Sequence, residues 1–98
     1  MSAQTIKTPE HAGSRDQAKQ LTSELREDLS GQTVSVDFTG ILVSTPSFVD
    51  EIVKQILNLR HASRLEVIGA SDRAHHLLIR AANNRGVRDR LDVASQGD

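Results

Sequence analysis

The chain has 98 residues, 12 Lys and Arg against 13 Asp and Glu for a formal charge of −1, 37% apolar and 2% aromatic residues, and no Cys. This length suits one domain with a small aliphatic core, and the absence of Cys excludes disulfides, thiolate metal sites and thiol catalysis. No apolar run is long enough to span a bilayer and the N-terminus lacks a secretory apolar segment, so a cytoplasmic protein without membrane contact is expected; without a basic excess, nucleic acid is not the expected partner.

In chain order, residues 1–13 are polar, with Ile6 as the one large aliphatic residue, and read as a mostly loose leader with a candidate edge strand at Gln4–Lys7. Ser14 reads as the N-cap of a helix over residues 15–29, striped by Ala18, Leu21, Leu25 and Leu29 and closed by Ser30-Gly31. Alternating Val34, Val36 and Phe38 predict a strand over residues 33–38.

A second helix is predicted from about Pro46 to Arg60, with Val49, Ile52, Val53, Ile56 and Leu59 inward. Two starts are open. Thr45 can cap with Pro46 at the first helical position, or Ser47 can cap with Asp50 three residues on. A strand over 65–68 ends at Gly69. Ser71 then caps a third helix over 72–84, with Ala74, Leu77, Leu78 and Ala81 inward. Val87, Leu91 and Val93 suit a last turn or short strand, and residues 94–98 read as a disordered tail. The expected fold is α/β, a small, mostly parallel sheet with helices packed on it over residues 14–93. Few strands leave an edge or face uncovered, which favours a homodimer.

The hydroxyl cluster Ser44, Thr45 and Ser47 opens the second helix, where unpaired N–H groups and the dipole favour an anion or a cap. Asp37 reads as a strand-end carboxylate that accepts loop N–H groups or orients the Thr45–Ser47 loop. His75 and His76 are adjacent on a helix and point about 100° apart, so they are not a metal pair, and no metal or cofactor is expected. A hydrolase triad of Ser47, His75 and Asp37 has no nucleophile elbow or oxyanion loop behind it. Arg80, Arg85, Arg88 and Arg90 read as solvated cations near a helix C-terminus, or as a basic patch.

Asp37-Phe-Thr-Gly40, a two-residue apolar step, the hydroxyl cluster and an apolar helix resemble the STAS domain of anti-sigma factor antagonists. Leu65-Glu-Val-Ile-Gly69, the helix over 70–82 and the segment 86–93 are similar to its second half. Ser14-Arg15-Asp16-Gln17-Ala18 and Phe48-Val49-Asp50-Glu51 resemble two motifs of bacterial STAS-like families. The resemblance implies a STAS-like fold and a non-enzymatic signalling module that binds a protein, such as an anti-sigma or histidine-kinase-like ATPase. By position, Ser47 matches the serine phosphorylated in antagonists, with Thr45 and Ser44 as alternatives. Pro46 and Phe48 depart from the motif. The implied partner face comprises Asp37, Ser44, Thr45, Ser47, Phe48, Asp50 and Glu51. The alternatives are a small-ligand or nucleotide sensor at the same helix start, or a structural subunit of a homo-oligomer.

Overall fold

The computed structural model describes residues 3–8, 11–40 and 43–94. The elements are β1 (Ala3–Lys7), β2 (His11–Ala12), α1 (Arg15–Thr22), β3 (Thr33–Asp37), β4 (Val43–Ser44), α2 (Pro46–Val53), β5 (Arg64–Ile68), α3 (Asp72–Asn84) and β6 (Leu91–Val93). A π-helical segment, Lys54–Leu59, continues α2 without a break, and a short 3-10 turn, Arg88–Arg90, leads into β6.

The main sheet is all parallel in the order β1-β3-β5-β6, and β2 and β4 form a separate two-residue parallel ladder. Each new strand joins on the same side of the last. Right-handed crossovers that all progress one way lay their helices on one face of the sheet. Strand alternation shows that face: Val34, Val36, Leu65, Val67 and Leu91 are buried, while Ser35, Glu66 and Asp92 lie in one cross-strand row with their side chains alternating to the other side. α1 packs on α2 and α2 on α3. The chain's two phenylalanines meet edge to face in this core, Phe38 and Phe48, with centroids 6.5 Å apart and planes at 66°.

The α/β architecture and the parallel sheet agree with the sequence reading, and so does the third helix. Two open readings are decided and two differ, each for a physical reason. First, the candidate edge strand at Gln4–Lys7 is present as β1, one residue longer at its start. β1 pairs in register with β3, Gln4 to Val34 and Lys7 to Asp37, and Ile6 packs against the core. Second, α1 ends at Thr22 instead of Leu29. The Thr22 hydroxyl donates back to the Ala18 carbonyl at 2.9 Å and the Ser23 hydroxyl to the Gln20 carbonyl at 2.6 Å, which satisfies carbonyls that a continuing helix would use. Leu25 and Leu29 are still buried, reaching the core from the irregular segment that follows.

Third, Leu59 is not inward. It is 51% exposed, and Leu57 is fully buried in its place. An α-helix turns about 100° per residue. The wider π turn rotates less per residue, so after Val53 the buried stripe passes through Ile56 and Leu57 and carries Leu59 to the outside. Fourth, of the turn or short strand open at Val87, Leu91 and Val93, the strand is realised over Leu91–Val93 as β6, which pairs with β5 and gives the sheet its fourth member. The apolar step Ile41–Leu42 and the tail after Ala94 lie outside the described residues.

Candidate functional site

The start of α2 is set by Thr45. Its backbone is extended, φ −104° and ψ 157°, and its hydroxyl accepts from the Phe48 amide at 3.2 Å, with Pro46 in the first turn. Of the two starts open in the sequence, this is the one realised. Ser47 therefore does not cap. It stands exposed on the first turn, and Ser44, half-buried, pairs through its backbone with Ala12 in the β2–β4 ladder.

The two sequence motifs meet at this point. Ser14 caps α1, accepting from the Gln17 amide at 3.1 Å while Gln17 Oε1 accepts from the Ser14 amide at 3.1 Å, a reciprocal capping box. Arg15, the next residue, reaches α2 and donates to Asp50 Oδ2 at 2.9 Å and Glu51 Oε1 at 3.1 Å. Ala18, one turn on, is fully buried. From the other side Arg85, just past α3, grips Asp50 with Nε to Oδ1 at 2.8 Å and Nη2 to Oδ2 at 2.6 Å. Glu51 is 1% exposed and also takes Gln55 Nε2 at 2.7 Å. A buried carboxylate is costly unless charge and hydrogen bonds offset the lost water, and here both are present.

The electrostatics follow from these partners. The Arg85 guanidinium, aided by Arg15, holds the Asp50 carboxyl at about 2 despite partial burial. Burial alone would push Glu51 up, but Gln55, Arg15 and Lys54 together bring it below its ordinary value. Asp37 is lowered by hydrogen bonds from Thr39, whose amide reaches Asp37 Oδ1 at 2.8 Å.

A groove of about 320 Å3 opens where α1, α2 and α3 converge, lined by Ser47, Asp50, Arg15, Leu77, Arg80 and Asn84 among others. Of the seven residues of the sequence-derived partner face, Ser47 and Asp50 line it. The other five lie outside its lining. Phe48 is fully buried against Phe38, because an aromatic ring on this side of α2 is core. Glu51 is enclosed under Arg15. Thr45 is spent on capping, and Ser44 sits in the short ladder. Asp37 closes its own turn, Asp37 to Gly40, and is outside the groove.

The four arginines do not form one basic patch. Arg85 is paired with Asp50, Arg88 donates to the Leu91 carbonyl at 3.1 Å, and Arg90 donates to the Ala62 and Leu57 carbonyls at 2.8 and 3.1 Å. Arg80 alone of the four has no such partner among the described residues. Among the described residues no hydrogen bond joins Ser47, His75 and Asp37, and no three His, Asp or Glu side chains cluster as metal ligands would. His76 uses Nδ1 on the Asp72 carbonyl at 2.9 Å. No helix among the described residues is long and apolar enough to cross a membrane.

Sequence reasoning found Ser47 and Asp50 but missed the groove's other walls. Arg15 stands in a motif the sequence does display, but its partners lie 35 and 36 positions away, beyond any local pattern. Neither a curated protein nor a solved structure matches the chain. The model of a family described as a STAS-like domain of unknown function (DUF4325) matches residues 17–74, which hold most of α1 and all of β3, β4, α2 and β5 and include Ser47, Asp50 and Glu51. With its parallel sheet, one-sided helices and this match over more than half its length, the chain belongs to the STAS-like domain family.

Proposed function

We propose that this STAS-like domain is a non-enzymatic protein-interaction module of the anti-sigma factor antagonist type, that the rim of the groove around Ser47 is its contact face, and that phosphorylation of Ser47 switches binding. The observation that carries the reading is the position of Ser47. It is the one residue of the Ser44, Thr45 and Ser47 cluster that is exposed and that neither caps nor pairs among the described residues, beside a groove lined by three helices. A hydroxyl that neither caps nor pairs can change charge without unfolding its surroundings. The partner by this reading is a protein, with an anti-sigma or histidine-kinase-like ATPase as the class.

The strand order never reverses, so the sheet lacks the reversal point at which open α/β sheets commonly take small ligands. That weighs against the ligand-sensing alternative. Self-association is the structural alternative, and a concentration-dependent mass in light scattering is its expected result. The test of the switch is a paired measurement. Ser47→Asp should melt near the wild type and lose the partner in co-purification, while Ser47→Ala should keep it. Undiminished partner binding by Ser47→Asp would overturn the switch.

A further inference from the structure

Arg80 lines the groove together with Ser47 and has no hydrogen bond or carboxylate partner among the described residues. Arg15 lines it from α1 with a side chain that is 47% exposed. Asp50 faces it from α2 but is already neutralised by the two bonds from Arg85. Asn84 adds an uncharged donor from α3. The groove therefore presents two guanidinium groups and one carboxylate whose charge is taken up from behind.

We propose that this groove seats a phosphoryl group carried by Ser47, held by Arg80 and Arg15, so that modification draws Arg15 away from Asp50 and Glu51. The proposal rests on the reading of Ser47 as the switched residue and names what receives its charge. In the transfer, Ser47 Oγ attacks the γ-phosphorus of a nucleoside triphosphate bound by a separate kinase. The Oγ–P bond forms as the bond to the leaving nucleoside diphosphate breaks, and the hydroxyl proton passes to a base of that kinase.

The departure of Arg15 strands neither carboxylate. Asp50 keeps both Arg85 bonds, and Glu51 keeps Gln55 at 2.7 Å with Lys54 at 4.0 Å. A phosphoryl group offers Arg more charge and more acceptor oxygens than a carboxylate already shared with another arginine. What is lost is the tie between the first turn of α1 and α2. Modification at Ser47 then loosens α1 as well as changing the charge of the rim.

The test is a phosphorus NMR pH titration of the full chain carrying phosphoserine at position 47, compared with the same chain bearing Arg80→Gln or Arg15→Gln. The second ionisation of phosphoserine lies near about 6 in water. The expected midpoint is lower, by on the order of half a pH unit for each arginine at contact distance, and each substitution moves it back up. Arg80→Gln removes no hydrogen bond or ion pair of the described residues, so its folding is not at issue. A midpoint unmoved by either substitution overturns the proposal. The titration needs no partner, so that result leaves the contact-face reading standing, whereas partner binding that ignores Ser47 defeats that reading alone.

Discussion

Arg85 and Asp50 share two hydrogen bonds, at 2.8 and 2.6 Å, and so bind the end of α3 to the second turn of α2. Asp50 also receives Arg15, which makes one carboxylate the junction of three helices. The acid response follows from its depressed ionisation. An unfolded Asp titrates near about 4 and the folded Asp50 at about 2, so the stabilisation is complete above pH ~4 and is lost as pH falls towards ~2. After allowance for solvent screening, about 1–2 kcal/mol should vanish across that window. Urea midpoints of the wild type should fall there, and those of Asp50→Asn should begin lower and fall less.

The π-helical winding after Val53 makes opposite predictions for two leucines two positions apart. Leu57→Ala removes a fully buried side chain and should cost about 2–5 kcal/mol. Leu59→Ala trims a side chain that is half in water and should change stability by less than about 0.5 kcal/mol. Chemical denaturation of the two variants separates this winding from an α-helical one, in which Leu59 would be the costly residue.

Much of the fold was legible where signals are local. Ser71 caps α3 and accepts from Ala74 as its position suggests, and β3 and β5 stand where the alternating valines and the Leu65–Ile68 run place them. What was illegible is non-local. The strand at Gln4–Lys7 reads as a candidate from its residues, but its parallel pairing with β3 and its register do not. The apolar repeat through Leu25 and Leu29 continues the period of α1, yet those side chains reach the same core from a turn, because burial constrains side-chain position more than backbone class. At the site, residue order offers Thr45 and Ser47 as alternative caps, and the structure realises Thr45. The burial of Phe48 and Glu51 was not readable, since it depends on Phe38 and Arg15 arriving from other elements.

Gly69 supplies a further test, of the turn that holds the Asp37-Phe-Thr-Gly40 motif. It has φ +72°, and a Cβ there would lie 2.1 Å from Thr39 Oγ1 and 2.8 Å from the Thr39 amide nitrogen. Gly69→Ala combines left-handed strain with a clash against backbone, and should cost about 1–3 kcal/mol. Adding Thr39→Ala removes the hydroxyl clash and not the backbone one, so thermal melting of the double variant should recover part of the loss.

The proposed partner contact is at the groove rim, at Ser47. It is tested most directly by placing a photo-cross-linking side chain at position 47 in one full-length variant and at position 59 in another, each expressed in the native host. Both positions are exposed, and Leu59 is on the outer side of the helix beyond the groove lining. Contact at the rim gives a discrete adduct with a second protein from position 47, absent from position 59 and lost when Arg80 and Asn84 on the facing wall are replaced by bulky Trp. No adduct from position 47, or the same adduct from both positions, would contradict it.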